Sequence, residues 1–191
     1  MTQSPFPLWQ DQLADADFTD PAASAARVSQ FERKVGRRNA LEYAAGGFVG
    51  VALVLSSIAA VTVQEWLIAS GLALCAIGVV VLLWGLKSRA SNLVRRPEDA
   101  CLTHLRRQYQ RQYEALRAVP LWYIGPLVPG MTLFYFAVLT ESAEHLGWSA
   151  AVEELARPAG TTIAVFVGVA ALNLWAARGL KRDIAKLDKL A

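Results

Sequence analysis

Four apolar stretches, at about 41–63, 66–86, 119–140 and 159–177, dominate this chain, and its basic residues avoid them. Each stretch is long enough, at about 1.5 Å rise per residue, to cross a hydrocarbon layer of about 30 Å as a helix. Of the 19 Lys and Arg residues, 18 precede the first stretch, lie between the second and third, or follow the fourth. Arg157 alone breaks the pattern. Basic residues gather on the cytoplasmic side of membrane proteins, so the expected topology has four spans and both termini inside. The predicted fold is all-α: an integral membrane four-helix bundle of two tandem helical hairpins, with amphipathic cytoplasmic extensions.

Composition supports lipid as the solvent of these stretches. Charged residues make up only 18% of the chain, fewer than a soluble domain of this size carries. Their placement beside the spans matches attraction to the anionic cytoplasmic leaflet rather than a nucleic-acid surface, and no nucleic-acid partner is expected. The first forty residues lack the pattern of a cleaved signal, so the first span is expected to remain as an anchor. Aromatics agree with the topology: Trp84, Trp122, Tyr123 and Trp175 fall at inner ends, Trp66 at an outer end.

Three cytoplasmic segments, about 22–39, 98–118 and 179–190, carry helical patterns within a membrane domain of 22–191. The first places Val28, Phe31 and Val35 on one face and runs into span 1. The second has a stripe of Leu102, Leu105, Tyr109, Tyr113 and Leu116, with Arg106, Arg107 and Arg111 on other faces. Leu180, Ile184 and Leu187 form a tail stripe. Segment 1–21 is read as a flexible acidic arm, with four Asp between Asp11 and Asp20 after an isolated Leu8-Trp9 pair. Trp9, Arg106, Arg107 and Arg111 are the expected contacts for a protein partner or for membrane lipid. In the outer loop, Trp148, Val152 and Leu155 suggest a short helix, capped by Ser149 and ended by Pro158.

The spans hold little that carries chemistry. No Asp, Glu, Lys, Arg or His lies in the middle of any of them, although coupled carriers need such groups or broken helices. Pro126, Pro129 and Gly130 interrupt span 3, freeing the carbonyls of Trp122 and Gly125 to kink the helix or line a ligand site. Thr132 and Asn173 are the expected polar partners for that backbone, with Asn173 facing another helix. Small residues mark helix packing: Gly46 and Gly50 in span 1, Gly71, Cys75 and Gly78 in span 2, Ala164 and Gly168 in span 4. They suit the monomer's own packing or a homodimer.

No metal site, cofactor or enzyme activity is expected. His104 and His145 fall on opposite sides of the membrane. Cys101 with His104 supplies two ligands where a structural zinc takes four. No phosphate-binding, dinucleotide-binding, metalloprotease or nucleophile-elbow motif is present.

The run from Phe31 to Tyr43 (FERKVGRRNALEY) enters a Gly/Ala-rich span. With the run from Tyr113 to Tyr123 leading into Pro126–Gly130, and the upstream Leu8-Trp9-Gln10, it resembles a family of small uncharacterised bacterial inner-membrane proteins with four transmembrane helices. The resemblance implies a multi-pass protein of the bacterial cytoplasmic membrane and supplies no catalytic residues. The expected function is a non-enzymatic membrane protein that presents a basic helical cytoplasmic module to a protein partner or anionic lipid. The alternative is a small transporter or channel subunit using the broken third span.

Overall fold

In a computed structural model the chain is described over residues 21–93 and 101–188, with side chains over 28–93 and 103–188. Trp9 and the acidic arm lie outside the described residues. Five helices account for the rest: α1 (Pro21–Thr62), α2 (Trp66–Arg89), α3 (Cys101–Arg117), α4 (Val128–Leu146) and α5 (Trp148–Leu187). A π-turn at Pro120–Ile124 and a 3-10 turn at Gly125–Leu127 join α3 to α4. Four segments are long and apolar enough to cross a membrane: Val28–Thr62, Trp66–Arg89, Pro120–Leu146 and Trp148–Leu187.

α1 and α5 are longer than a span. At about 1.5 Å per residue, the 42 residues of α1 and 40 of α5 give rods of about 60 Å. Each carries an apolar half and a basic half on one continuous axis. The end holding α3 is the basic end; the Trp148 end is the acidic one.

The short outer helix and the tail helix expected on either side of span 4 are therefore parts of α5. Pro158 does not terminate it. A proline inside a helix removes one N–H and frees the carbonyl four residues back. Here that carbonyl belongs to Glu154, on an exposed stretch near the helix start where solvent can reach it. The Tyr135 hydroxyl donates to Pro158 O at 3.1 Å and meets Thr162 Oγ1 at 2.6 Å, holding α4 to α5 just past the proline. Ser149 makes no cap; α5 starts from Gly147, whose φ of 83° and ψ of 156° lie in a region that favours glycine.

α1 ends in a Schellman motif. Glu65 N donates to Ala60 O and Gln64 N to Val61 O, with Gln64 at φ 66° in the left-handed region. The turn that follows aligns α2 antiparallel to α1, and Ser57 Oγ donates across to Ala69 O at 2.9 Å.

The spans pack in a row: α1 on α2, α2 on the π-turn, 3-10 turn and α4, and α4 on α5. α2 is central: 39% of its most apolar window is buried, against none of α1's. Below the row, α3 packs on α5 and on the basic half of α1. The outward faces carry large exposed apolar side chains, among them Phe48, Val80, Leu121 and Leu172. A surface of that extent suits lipid.

At the break in span 3 the turns pack closely on α2. A Cβ added to Gly78 would lie 2.5 Å from Pro126 O, and one on Gly130 would lie 2.5 Å from Cys75 N. One on Gly71 would lie 2.7 Å from Phe134 N. Small residues on α2 thus receive the distorted turns of span 3. The carbonyl of Gly125 that Pro129 leaves free accepts from Val128 N in the 3-10 turn, so the break closes part of its own deficit. Gly46 packs on Leu83 and Gly50 on Val79.

The expected face of span 4 lies elsewhere. Ala164 is exposed and a Cβ on Gly168 would meet nothing within 4 Å. α5 instead turns Thr162, Phe166, Val169, Asn173, Ala177, Leu180 and Ile184 inward, a row at three- and four-residue spacing that continues into the basic half. Thr132, expected inside, is exposed.

Candidate functional site

The basic end holds most of the interior's polar contacts. There α3 presents His104, Gln108 and Gln112 at i, i+4 and i+8, and all three are at most 2% exposed. Gln112 Nε2 donates to Ala90 O at 2.9 Å. Asn39 Nδ2, from α1, donates to the same oxygen at 2.9 Å. Gln108 Oε1 accepts from Leu93 N at 2.8 Å, and its Nε2 donates to Asn92 Oδ1 at 2.6 Å. Asn92 Nδ2 in turn donates to Glu32 O at 3.0 Å. His104 Nε2 lies 3.2 Å from Glu32 Oε1. The segment leaving α2 is thus clamped between α1 and α3 through uncharged amides, which satisfy buried backbone without the desolvation cost of charges.

Apolar contacts reinforce the clamp. Leu86, Ala90, Ala115, Val119 and Trp122 form a buried cluster. Trp122, expected at the membrane interface, is 8% exposed and donates from Nε1 to Ala115 O at 2.8 Å. It stands in the π-turn and packs into that cluster. Trp84 and Trp175 remain exposed, as interfacial aromatics are. Phe31 and Tyr109 meet with ring centroids 4.5 Å apart, pinning α1 to α3.

Two of the basic residues singled out from sequence bind other parts of the chain. Arg106 Nε pairs with Asp188 Oδ1 at the end of α5. That hydrogen bond holds the Asp188 carboxyl below its ordinary range and raises the Arg106 guanidinium. Arg111 Nη2 donates to Ser88 O at 2.7 Å and its Nε to Arg89 O at 3.3 Å. It thereby satisfies carbonyls at the C-terminus of α2, where the helix dipole favours a cation. Arg107 is exposed on α3. Further cations stand on the outer faces of the same end: Arg33, Lys34 and Arg37 on α1, Arg178, Lys181 and Arg182 on α5.

Inside this end is a cavity of about 220 Å³. α1 contributes Arg38 and Glu42, the π-turn Trp122 and Tyr123, and α5 Val169 and Asn173. Arg38 Nη2 donates to Asn39 Oδ1 and Gln112 Oε1, each at 3.2 Å, and Arg38 Nε lies 3.4 Å from Glu42 Oε1. That Nε is the one buried side-chain polar atom among the described residues without a hydrogen-bond partner. Asn173 Nδ2 donates to Val169 O on its own helix at 2.8 Å, so its expected bond to another helix is replaced by a local one. Pro126, Pro129 and Gly130 do not line this cavity.

His104, Gln108, Gln112 and Asn39 were not singled out from sequence as functional residues. The usable signal was an uncharged polar row at four-residue spacing on a helix whose charges lie elsewhere. Among the described residues no group of three or more His, Cys, Asp or Glu side chains is placed to hold a metal ion. The Cys101 side chain lies outside the described residues.

No protein-family model matches the chain, and no curated protein or solved structure is detectably similar to it.

Proposed function

We propose that this is a non-enzymatic integral membrane protein that holds a rigid basic helical module at the cytoplasmic face of a bacterial inner membrane. The module is offered to a protein partner or to anionic lipid, and both termini lie on its side. The observation carrying this reading is the double use of Ala90 O by Asn39 and Gln112, which fixes α3 to the spans. A helix anchored in that way holds its outer charges at a set height above the membrane. The orientation follows from the segregation of basic residues.

The test is crosslinking in native membranes followed by mass spectrometry, comparing the natural chain with a triple charge reversal at Arg33, Arg37 and Arg182. These positions are preferable to Arg106 and Arg111, whose reversal would also loosen the fold. Loss of a specific crosslinked partner in the variant supports the reading. Undiminished capture, or no partner at all, counts against it.

The alternative, a small transporter or channel subunit using the broken third span, needs a polar path beside Pro126–Gly130. The tight fit of Gly78 on Pro126 and of Gly130 on Cys75 leaves it without a supporting observation.

A further inference from the structure

The cavity at Arg38 and Glu42 does not end at its polar walls. Glu42 and Tyr123 also line a second cavity of about 390 Å³, walled otherwise by apolar residues of α1, α2 and the 3-10 turn, including Val49, Leu82 and Leu127. The two share an edge at Glu42 and Tyr123, one chamber polar, the other apolar and running along the spans. The gap exists because the spans form a row: α1 packs on α2 and α3 but has no extensive contact with α4 or α5.

The depth of the polar chamber is marked by its neighbours in sequence. Its wall residues Leu86 and Asn173 lie two positions from Trp84 and Trp175, which are exposed and point outward at the same end. Exposed tryptophans at span ends mark the headgroup layer. The polar chamber therefore sits at headgroup level and the apolar cavity at acyl-chain level.

We infer that this paired cavity is a binding site for a glycerophospholipid with a primary-amine headgroup. At about 30 Å³ per water, 220 Å³ has room for about seven water-sized groups, the bulk of a phosphoethanolamine head. Arg38, anchored on one side by Asn39 and Gln112, offers its remaining donors to the phosphate. Glu42 receives the ammonium, with the Asn173 side-chain oxygen as a second acceptor. An acyl chain lies in the apolar cavity past Tyr123. The headgroup choice follows from charge. Arg38 and Glu42 are one cation and one anion, which a phosphate and an ammonium complement pairwise. A phosphatidylglycerol head brings no cation for Glu42. A choline head brings one that cannot donate a hydrogen bond.

This inference rests on the membrane reading of the spans but not on a protein partner, so the two fail separately. The full-length chain, purified and delipidated in detergent, is titrated with synthetic phosphatidylethanolamine, phosphatidylglycerol or phosphatidylcholine and read by native mass spectrometry. The expected result is one retained phosphatidylethanolamine, held about tenfold more tightly than the other two lipids. Glu42→Gln, nearly isosteric, removes the preference over phosphatidylglycerol. Ala45→Trp, which fills the apolar cavity from its exposed rim, lowers retention of all three lipids. Equal retention of the three headgroups by the natural chain overturns the inference. So does an unchanged preference in Glu42→Gln, or competition by water-soluble glycerophosphoethanolamine as effective as that by the intact lipid.

Discussion

Asn39 of α1 and Gln112 of α3 donate to a single acceptor, the carbonyl oxygen of Ala90, each at 2.9 Å. Ala90 is 1% exposed and stands at the end of α2, so three helices are tied at one buried atom. The tie works because neither donor carries a charge. An Arg or Lys in either place would add the desolvation of an ion to the same geometry.

Gln112→Leu removes one of the two donors and leaves Arg38 Nη2 without its Gln112 acceptor. The expected cost is about 1–3 kcal/mol, that of stranded buried polar groups. Thermal unfolding in detergent, followed by circular dichroism, measures it. Asn39→Ala should cost a similar amount. Because both residues serve one oxygen, the double variant should depart from the sum of the singles, in contrast to distant sites.

Gly78 and Gly130, which meet backbone across the span 3 break, should tolerate a side chain less well than Gly168, which meets open space. Gly78→Ala and Gly130→Ala each place a methyl 2.5 Å from backbone, so α2 and span 3 must separate, at about 1–3 kcal/mol. Gly168→Ala meets open space and should be neutral or up to about 1 kcal/mol stabilising through helix propensity. Stability of the three variants in one detergent decides the matter. Equal effects would refute the close-approach account.

Two turns with unusual backbone should respond in opposite directions. Gln64 holds φ 66° without being glycine, so Gln64→Gly relieves strain and should raise stability by about 1 kcal/mol. Gly147 occupies a region nearly closed to other residues, and Gly147→Ala should lower it by about 1–3 kcal/mol. The same unfolding assay reads both.

The pair formed by Arg106 and Asp188 should make the end of α5 sensitive to acid. The folded Asp188 carboxyl is depressed by its hydrogen bond to Arg106, so protons bind it more weakly folded than unfolded. Its contribution is present above the ordinary Asp range and is lost as pH falls through the lower folded value. Both groups are exposed, so added salt should weaken the effect. Hydrogen exchange at residues 184–188 should show protection at neutral pH that falls in strong acid. In Asp188→Asn that acid-dependent step should be absent.

Much of the fold was legible because lipid imposes a simple rule. Apolar length and the placement of Lys and Arg give four membrane-length helices directly. The packing order was not legible, because lipid-facing and helix-facing positions are equally apolar in sequence and only Gly78, Gly130 and their neighbours betray a close approach. The Ala164 and Gly168 pair shows the converse: small residues permit close packing without requiring it. Pro158, a helix terminator by its chemistry, does not end α5 because its missing hydrogen bond falls near the exposed start of the helix, where it costs least. At the basic end, arginines stand out in sequence by charge, while Asn39, Gln108 and Gln112 make the buried hydrogen bonds to the segment leaving α2. Gln108 and Gln112 stand at four-residue spacing, but a neutral amide names no partner until a neighbouring backbone is in place to receive it.

The continuity of α5 has a mechanical meaning. Its 40 residues run from Trp148 at the acidic end to Leu187, next to the Asp188 contact with α3. A helix of about 60 Å tilting by about 5° about its midpoint moves each end by about 2–3 Å. That displacement is enough to open a hydrogen bond. Were α5 to tilt as one body, a push on the Trp148 end would reach Asp188 without any change of fold. In that motion the helix would act as a lever, with its apolar middle as the pivot.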